Sequence, residues 1–347
     1  MALERVLVLY NTDYDDELIA ASPADVSAVK EAAVAVCGAV AACGYQAELI
    51  GVAGHDVGEV FERVRSYRPD LVFNLVESLA GDTRNEVVIP ALMDLLGVAY
   101  TGPGPFTIGM CLHKDRSKQA LVAGGIPTPD HITLIKESDF ERADVIEYPT
   151  FVKLVREDAS IGIDESNVAR DRAGLEKRAR ELWAKYHQGV IAERYIEGRE
   201  VNVTVVGNDG DLECLPLHEI DFTRMPPGRP RIVSYAAKWD ESHVDYAGTV
   251  PVPMKNVSAE LAEAIESTSK RAFAALGLRD FGRVDLRVDA DGQPWVIDVN
   301  PNCDISPDAG VARAARAAGI DFPRLIGRIC ETAWRRRADS NPSAETE

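Results

Sequence analysis

The stretch Phe281–Asn302, FGRVDLRVDADGQPWVIDVNPN, limits what this chain can fold into more than any other. Its first half alternates Val284, Leu286 and Val288 with Arg283, Asp285 and Arg287. Its second half, Pro294–Asn300, alternates Trp295 and Ile297 with Val296, Asp298 and Asn300. A period of two places successive side chains on opposite faces of a strand. Asp289–Gly292 supplies the Asp and Gly of a tight turn, so the stretch predicts an antiparallel hairpin. Arg283, Asp285 and Arg287 then share one face of the first strand, and Asp298 and Asn300 share a face of the second with Val296. Where the polar faces coincide, Asp285, Asp298 and Asn300 converge as oxygen ligands suited to Mg²⁺. A polar strand face turned to water is the ordinary alternative. Val296, on the face of Asp298, argues against a plainly solvated one.

The 347 residues suffice for two or three modest domains, and 46% hydrophobic with 27% charged residues is ordinary for a globular protein. No apolar run approaches the roughly 20 residues that span a bilayer. The opening MALERVLVLYNTDYDDE reads as a first buried strand, not a signal peptide. Cys37, Cys43, Cys111, Cys214, Cys303 and Cys330 are scattered without a CxxC pair, which argues against a zinc site or disulfide framework and for a cytoplasmic location. A formal charge of −18 disfavours nucleic acid and anionic membranes as partners. It leaves phosphate ligands open, because a site needs only local positive charge.

Along the chain, strands are expected at Val6–Tyr10, Gln46–Val52 and Asp70–Leu75, with helices at Asp25–Cys43, Asp56–Ser66 and Glu86–Leu96. Ser22 or Asp25 is the expected cap of the first helix, after a polar, acidic loop. This βαβαβ order implies a parallel, doubly wound sheet. Gly102 and Gly104 fit neither phosphate-loop spacing and read as a turn between domains. One helix is expected over Ile108–Gly124, carrying Lys114 and Lys118. Lys153 sits inside the apolar strand YPTFVKLV, where an ammonium must reach water or an anion. Further strands are expected at Gly189–Ile196, Glu200–Gly207 and Leu212–Ile220, and helices at Asp171–Lys185, Ser258–Leu276, Ile305–Ala318 and Phe322–Arg336. Asn341–Glu347 reads as a frayed tail.

These residues carry a resemblance. GRVDLRVDADGQPWVIDVNPN resembles the metal-binding hairpin of the ATP-grasp superfamily, in its D-alanine–D-alanine ligase branch. Phe73-Asn74, Tyr100-Thr101-Gly102, the ERYIEGRE run around Glu193 and the Tyr-x-x-Lys of Tyr235–Lys238 extend it along most of the chain. The implied fold is α/β, with α+β character in the ATP-binding part. An N-terminal α/β domain (residues 1–108) is followed by central (109–197) and C-terminal (198–347) ATP-grasp subdomains that clasp ATP.

The resemblance also implies roles. Lys114, with Lys118 nearby, and Lys153 bind ATP phosphates, and the Ser160–Gly162 loop closes over the triphosphate. Glu193, Tyr195 and Ile196 meet adenine, and Glu200 takes the ribose hydroxyls. Asp285, Asp298 and Asn300 hold Mg²⁺ (or Mn²⁺), two ions in all. Lys238 and Ser160 approach the transferred phosphate, and Arg283 stabilises the tetrahedral oxyanion. The implied activity is amide-bond formation between a carboxylate and an amine through an acyl phosphate, by a homodimer.

The substrate side departs from the family pattern. Ala159 stands at the family's loop serine, Trp239 at its tyrosine, and the N-terminal loop lacks its Ser-x-Glu motif. After the hairpin, NPNCDISPDAG places Asp304 at a family glycine and Ala309 at the serine that holds the second substrate's carboxylate. Asp304 or Asp308 facing a cationic or amino-bearing substrate is one expectation, and Tyr235 and Trp239 are further candidate substrate residues. Asp304 as the cap of a helix from Ile305 is the other. Cys303 reads as a bystander thiol, since no partnered histidine accompanies it.

Overall fold

The computed structural model describes residues 2–12 and 23–340. The expected caps at Ser22 and Asp25, the acidic N-terminal loop and the terminal tail fall outside those residues or their described side chains.

The first sheet is parallel, in the order β2–β1–β3–β4, with β1 Arg5–Asn11, β2 Gln46–Val52, β3 Leu71–Leu75 and β4 Ala99–Tyr100. Helices Pro23–Ala42, Val57–Tyr67 and Val88–Leu96 connect the strands. Both faces are buried, as the unbroken apolar run of β1 requires. Leu7, Leu9 and Val72 pack with Val60, Val64 and Met93 on one side. Val6, Val8, Leu71 and Phe73 face the other way, where Val206, Phe281, Ile305, Val311, Leu325 and Ile329 close over them. The N-terminal sheet and the C-terminal segments thus share one continuous core.

A second, antiparallel sheet, in the order β5–β8–β6–β7, comprises β5 His131–Leu134, β6 Thr150–Leu154, β7 Val168–Ala169 and β8 Val190–Arg194. Its core is its own: Val152, Leu154, Val190 and Ala192 pack on Leu175, Ala179 and Leu182 of helix Arg172–Tyr186. The third sheet comprises β9 Arg199–Gly207, β10 Glu213–Cys214, β11 His218–Asp221, β12 Val250–Pro253, β13 Asp280–Val288 and β14 Pro294–Asn300. It runs β12–β11–β9–β13–β14, with β10 also on β9.

The helix expected over Ile108–Gly124 is two helices, Pro105–Leu112 and Lys114–Ala123, broken at His113. The break lets the Lys114 N–H donate to the Val155 carbonyl at 3.0 Å, which sets Lys114 at the start of the second helix. Cys111, Leu121 and Ile126 pack into the third sheet's core with Val201, Val203 and Phe273. These helices therefore belong by packing to the C-terminal body, although the sequence places them in the central subdomain. The single strand expected over Leu212–Ile220 is also two short ones, β10 and β11. The closing helix starts at Gly310, not Ile305.

Asp280 ties the N- and C-terminal parts together. It is fully buried, and its carboxylate accepts from Arg336 at 3.0 and 2.9 Å, from the Gly102 N–H at 2.9 Å and from Asn208 at 3.2 Å. Arg279 donates to the Gly102 carbonyl at 2.8 Å. Gly102 is in a turn, at φ 81°.

Candidate active site

The hairpin forms as expected, with one difference that resolves its parity. Asp285 lies opposite Asp298 and Arg283 opposite Asn300, but Leu286 pairs with Val296, so the register shifts by one residue between them. This bulge turns Val296 into the core, fully buried against Leu286, while Asp298 and Asn300 stay on the face of Asp285. Bulges re-aim side chains in this way beside functional sites. The Ile297 carbonyl accepts from Lys153 at 2.9 Å, and the Val296 carbonyl accepts from Thr128 at 2.7 Å.

Asp285 is the hub of the carboxylate face. Arg283 grips it through two hydrogen bonds of 2.8 and 2.9 Å, Asn202 of β9 donates at 2.7 Å, and Asn300 donates at 3.1 Å. Asn202 lies directly across from Asp285 in the β9–β13 register. Sequence reasoning missed it, because only strand order brings it here.

Three lysines converge from the other side, and all are buried. Lys114 reaches Asp158 at 2.6 Å and Asp298 at 3.6 Å. Burial opposes its charge, but the two carboxylates outweigh that and hold the ammonium above the ordinary lysine range. Lys153 meets Glu193 at 2.6 Å, and Lys118 meets the other Glu193 oxygen at 2.7 Å. Burial, with the neighbouring Lys153 charge, pushes Lys118 down to about 8 despite Glu193. Glu193 is held below the usual carboxylate range because the lysines outweigh its desolvation. Neither helical lysine is a solvated one: Lys114 and Lys118 are both buried. Glu193 was expected at adenine; in the structure its carboxylate is occupied by Lys118 and Lys153. Asp298 is likewise depressed: burial raises it, but Lys114, Lys153 and Lys118 outweigh that.

The segment after β8 is also held from within. Tyr195 N–H donates to the Pro149 carbonyl at 2.9 Å, and the Ile196 carbonyl accepts from Arg287 at 2.9 Å. Any adenine contact of these two residues falls to their remaining backbone groups. Glu200 is pushed up by burial, which its partner Arg287 at 2.9 Å only partly offsets.

The loop Asp158–Gly162 and the short helix Tyr235–Trp239 are stitched together. Ser160 Oγ donates to the Val233 carbonyl at 2.9 Å, Tyr235 N–H to the Ile163 carbonyl at 2.9 Å, and the Trp239 indole to the Ala159 carbonyl at 3.2 Å. Ala159 and Ser160 both sit at positive φ, 52° and 62°. Gly162 sits at φ 71°, and a Cβ there would meet Leu154, Tyr186 and Leu182 of the second sheet's core at 3.1–3.3 Å. Lys238 is reached by solvent yet crowded by protein elsewhere, as a cleft-lining group is; burial, then Arg283, lowers its pKa.

Asp304 is exposed and accepts from the Ser306 N–H at 2.8 Å and hydroxyl at 2.7 Å. It closes a local turn, and the helix-cap expectation fails because Ala309 precedes the helix. Glu77 and Glu86 line the same side and were not foreseen. Glu77 keeps solvent access although protein crowds around it; that crowding, then Asp304, pushes it up to about 8, and burial, then Glu77, raises Glu86, which accepts from Asn302 at 3.1 Å. The Cys303 thiol is buried and pushed up to about 12, as suits a bystander.

Two paired carboxylates and an amide on one sheet, faced by a lysine from a second sheet and two from a helix, are the arrangement of an ATP-grasp enzyme. A family model described as D-ala D-ala ligase C-terminus matches residues 121–331. The uncharacterized protein y4sG of Sinorhizobium fredii is 32% identical over 77% of this chain and 75% of its own length. A D-alanine–D-alanine ligase of Pseudomonas putida is 31% identical over 80% of this chain and 81% of its own. The crystal structure of a D-alanine–D-alanine ligase from Bacillus anthracis complexed with ATP superposes with a TM-score of 0.73 at 22% identity, covering 97% of this chain and 99% of that one. The chain belongs to the D-alanine–D-alanine ligase family and is an ATP-dependent, ADP-forming ligase of carbon–nitrogen bonds.

Proposed function

We propose that this enzyme joins the carboxylate of one amino acid to the amine of a different amino acid or small metabolite, through an acyl phosphate. Lys114 and Lys153 bind the ATP phosphates with Lys118 behind them, and the Ser160 loop closes over the triphosphate. Asp285, Asp298 and the Asn300 amide oxygen fit Mg²⁺ or Mn²⁺, and two ions are expected. The donors are hard oxygens, and Asp285 and Asp298 stand opposite each other across one strand pair. The metal supplies charge neutralisation at phosphate oxygens. Lys238 faces the developing phosphate charge from the cleft wall, and Arg283, anchored on Asp285, presents its guanidinium to the tetrahedral oxyanion.

The observation that carries the choice of substrates is the Trp239–Ala159 contact, which stands where the family pattern has a tyrosine and a serine. Glu77, Asp304 and Asp308 on the acceptor side favour an amino-bearing partner. A D-alanine–D-alanine ligase of cell-wall synthesis is the second reading, favoured by the names of the relatives. A regulatory ATP-binding protein has less support, because the lysines and carboxylates of the phosphate side are all in place. A homodimer in the cytoplasm, with no nucleic-acid or membrane partner, completes the proposal; no helix among the described residues is long and apolar enough to cross a membrane.

The test is ADP release with ATP and Mg²⁺ across single and paired amino acids of both hands, with product masses. Turnover confined to an unlike pair supports the proposal; dipeptide from D-alanine alone overturns it in favour of the second reading. Arg283→Met is expected to lower kcat by roughly 10²–10³, as loss of one oxyanion donor does. Burst kinetics would place the loss after acyl-phosphate formation.

A further inference from the structure

Arg287 lies on β13 opposite Glu200 of β9 and is 4% exposed. Its guanidinium gathers groups from separate segments. Nε donates to the Ile196 carbonyl at 2.9 Å, Nη1 to Glu200 Oε2 and to the Arg231 carbonyl at 2.9 Å each, and Nη2 to the Tyr195 hydroxyl at 3.2 Å. The Tyr195 and Phe222 rings lie 5.3 and 5.9 Å from its central carbon. A planar fork of five N–H donors can serve this many acceptors at fixed angles; a lysine ammonium cannot. Main-chain carbonyls of two loops and one carboxylate are all turned toward a single buried cation, at the edge of the cleft that Glu200 lines.

We propose that Arg287 is a positioning residue for the nucleotide: it fixes the Glu200 carboxylate, the Ile196 carbonyl and the Tyr195 hydroxyl in one arrangement, so that the enzyme selects nucleotides by their ribose hydroxyls. This rests on the reading of Glu200 as the acceptor for those hydroxyls. Glu200 Oε2 accepts from Arg287, which leaves Oε1 as the oxygen that would take the sugar hydroxyls. Arg287 itself touches no reacting atom.

The test compares binding of ATP and 2′,3′-dideoxy-ATP, each with Mg²⁺, by titration calorimetry on the full chain. The wild type is expected to prefer ATP by about tenfold, the loss typical of an unmade hydrogen bond to a charged group. Arg287→Met is expected to weaken ATP about tenfold, leave the dideoxy nucleotide within about twofold, and so abolish the preference. In turnover the loss falls on KM for ATP and not on the KM of either amino acid. Arg287→Lys is expected to restore part of the preference, and Arg287→Gln takes the place of the methionine variant should that fail to fold. A preference that survives in Arg287→Met overturns the proposal. So does an equal loss for both nucleotides, which marks a structural role only. A wild type without preference overturns the ribose reading of Glu200, and this proposal with it.

Discussion

Asp298→Ala is expected to reduce kcat by about a thousandfold at saturating ATP and Mg²⁺. Several kcal/mol of charge stabilisation on the phosphate is what a catalytic metal supplies, and each 1.36 kcal/mol is a factor of ten. The substitution removes one of two carboxylates that face each other across β13 and β14. It also strips a counter-charge from a region that holds Lys114 at 3.6 Å, with Lys153 and Lys118 nearby. The variant should therefore melt below the wild type in the absence of nucleotide. Coupled-enzyme ADP assays over a range of Mg²⁺, alongside thermal melts, separate the two effects. Undiminished turnover with the true substrates would mean that Asp298 holds no metal.

The second large effect is on stability. Asp280→Ala should destabilise the fold by about 3–5 kcal/mol, the usual result of removing one partner of a buried charge pair. Arg336 would be left with its charge uncompensated, and the Gly102 N–H and the Asn208 amide would each lose an acceptor. Asp280→Asn keeps part of the hydrogen bonding and should cost less. Urea unfolding by tryptophan fluorescence measures both. A cost within experimental error of zero for Asp280→Ala would show that the node does not hold the two parts together.

Much of this architecture is legible from local pattern. The parallel sheet follows from apolar strands alternating with helical segments, and the carboxylate face from alternation in Arg283–Val288. Lys153 stands out because a charge inside an apolar strand needs an anion, which proves to be Glu193. What stays hidden depends on partners distant in sequence. The bulge cannot be read from PWVIDVN, because whether Val296 or Asp298 faces the core is decided by β13. Asn202 and Arg287 acquire meaning only when β9 lies beside β13. The break at His113 reflects a hydrogen bond to Val155, 41 residues away from Lys114 by their numbering (155 − 114). Asp304 reads equally as a cap or a ligand, and the turn it makes with Ser306 rules out only the cap. Gly162 looks like a phosphate-loop glycine, and its close packing against Leu154 and Tyr186, invisible in the sequence, is a second reason for a glycine there.

The apolar packing bears on how the molecule deforms. The N-terminal sheet shares its interior with Phe281, Val311 and Leu325, whereas the β5–β8 sheet encloses a separate one. Topologically the latter is an insert, because the strands on either side of it in sequence belong to one solid body. Rigid tilting of such an insert leaves both apolar interiors whole and parts only polar links, such as Lys153 to the Ile297 carbonyl and Glu193 to Lys118, while parting the N- and C-terminal halves would tear open a common interior. Opening and closing of the cleft should therefore be carried by residues 131–194 swinging as a flap, with Lys153 and Glu193 travelling on it and Asp285 and Asp298 standing still. Single-molecule energy transfer between dyes on this lobe and on helix Phe322–Ser340 would see that swing, and dyes on the two terminal parts would stay at constant separation.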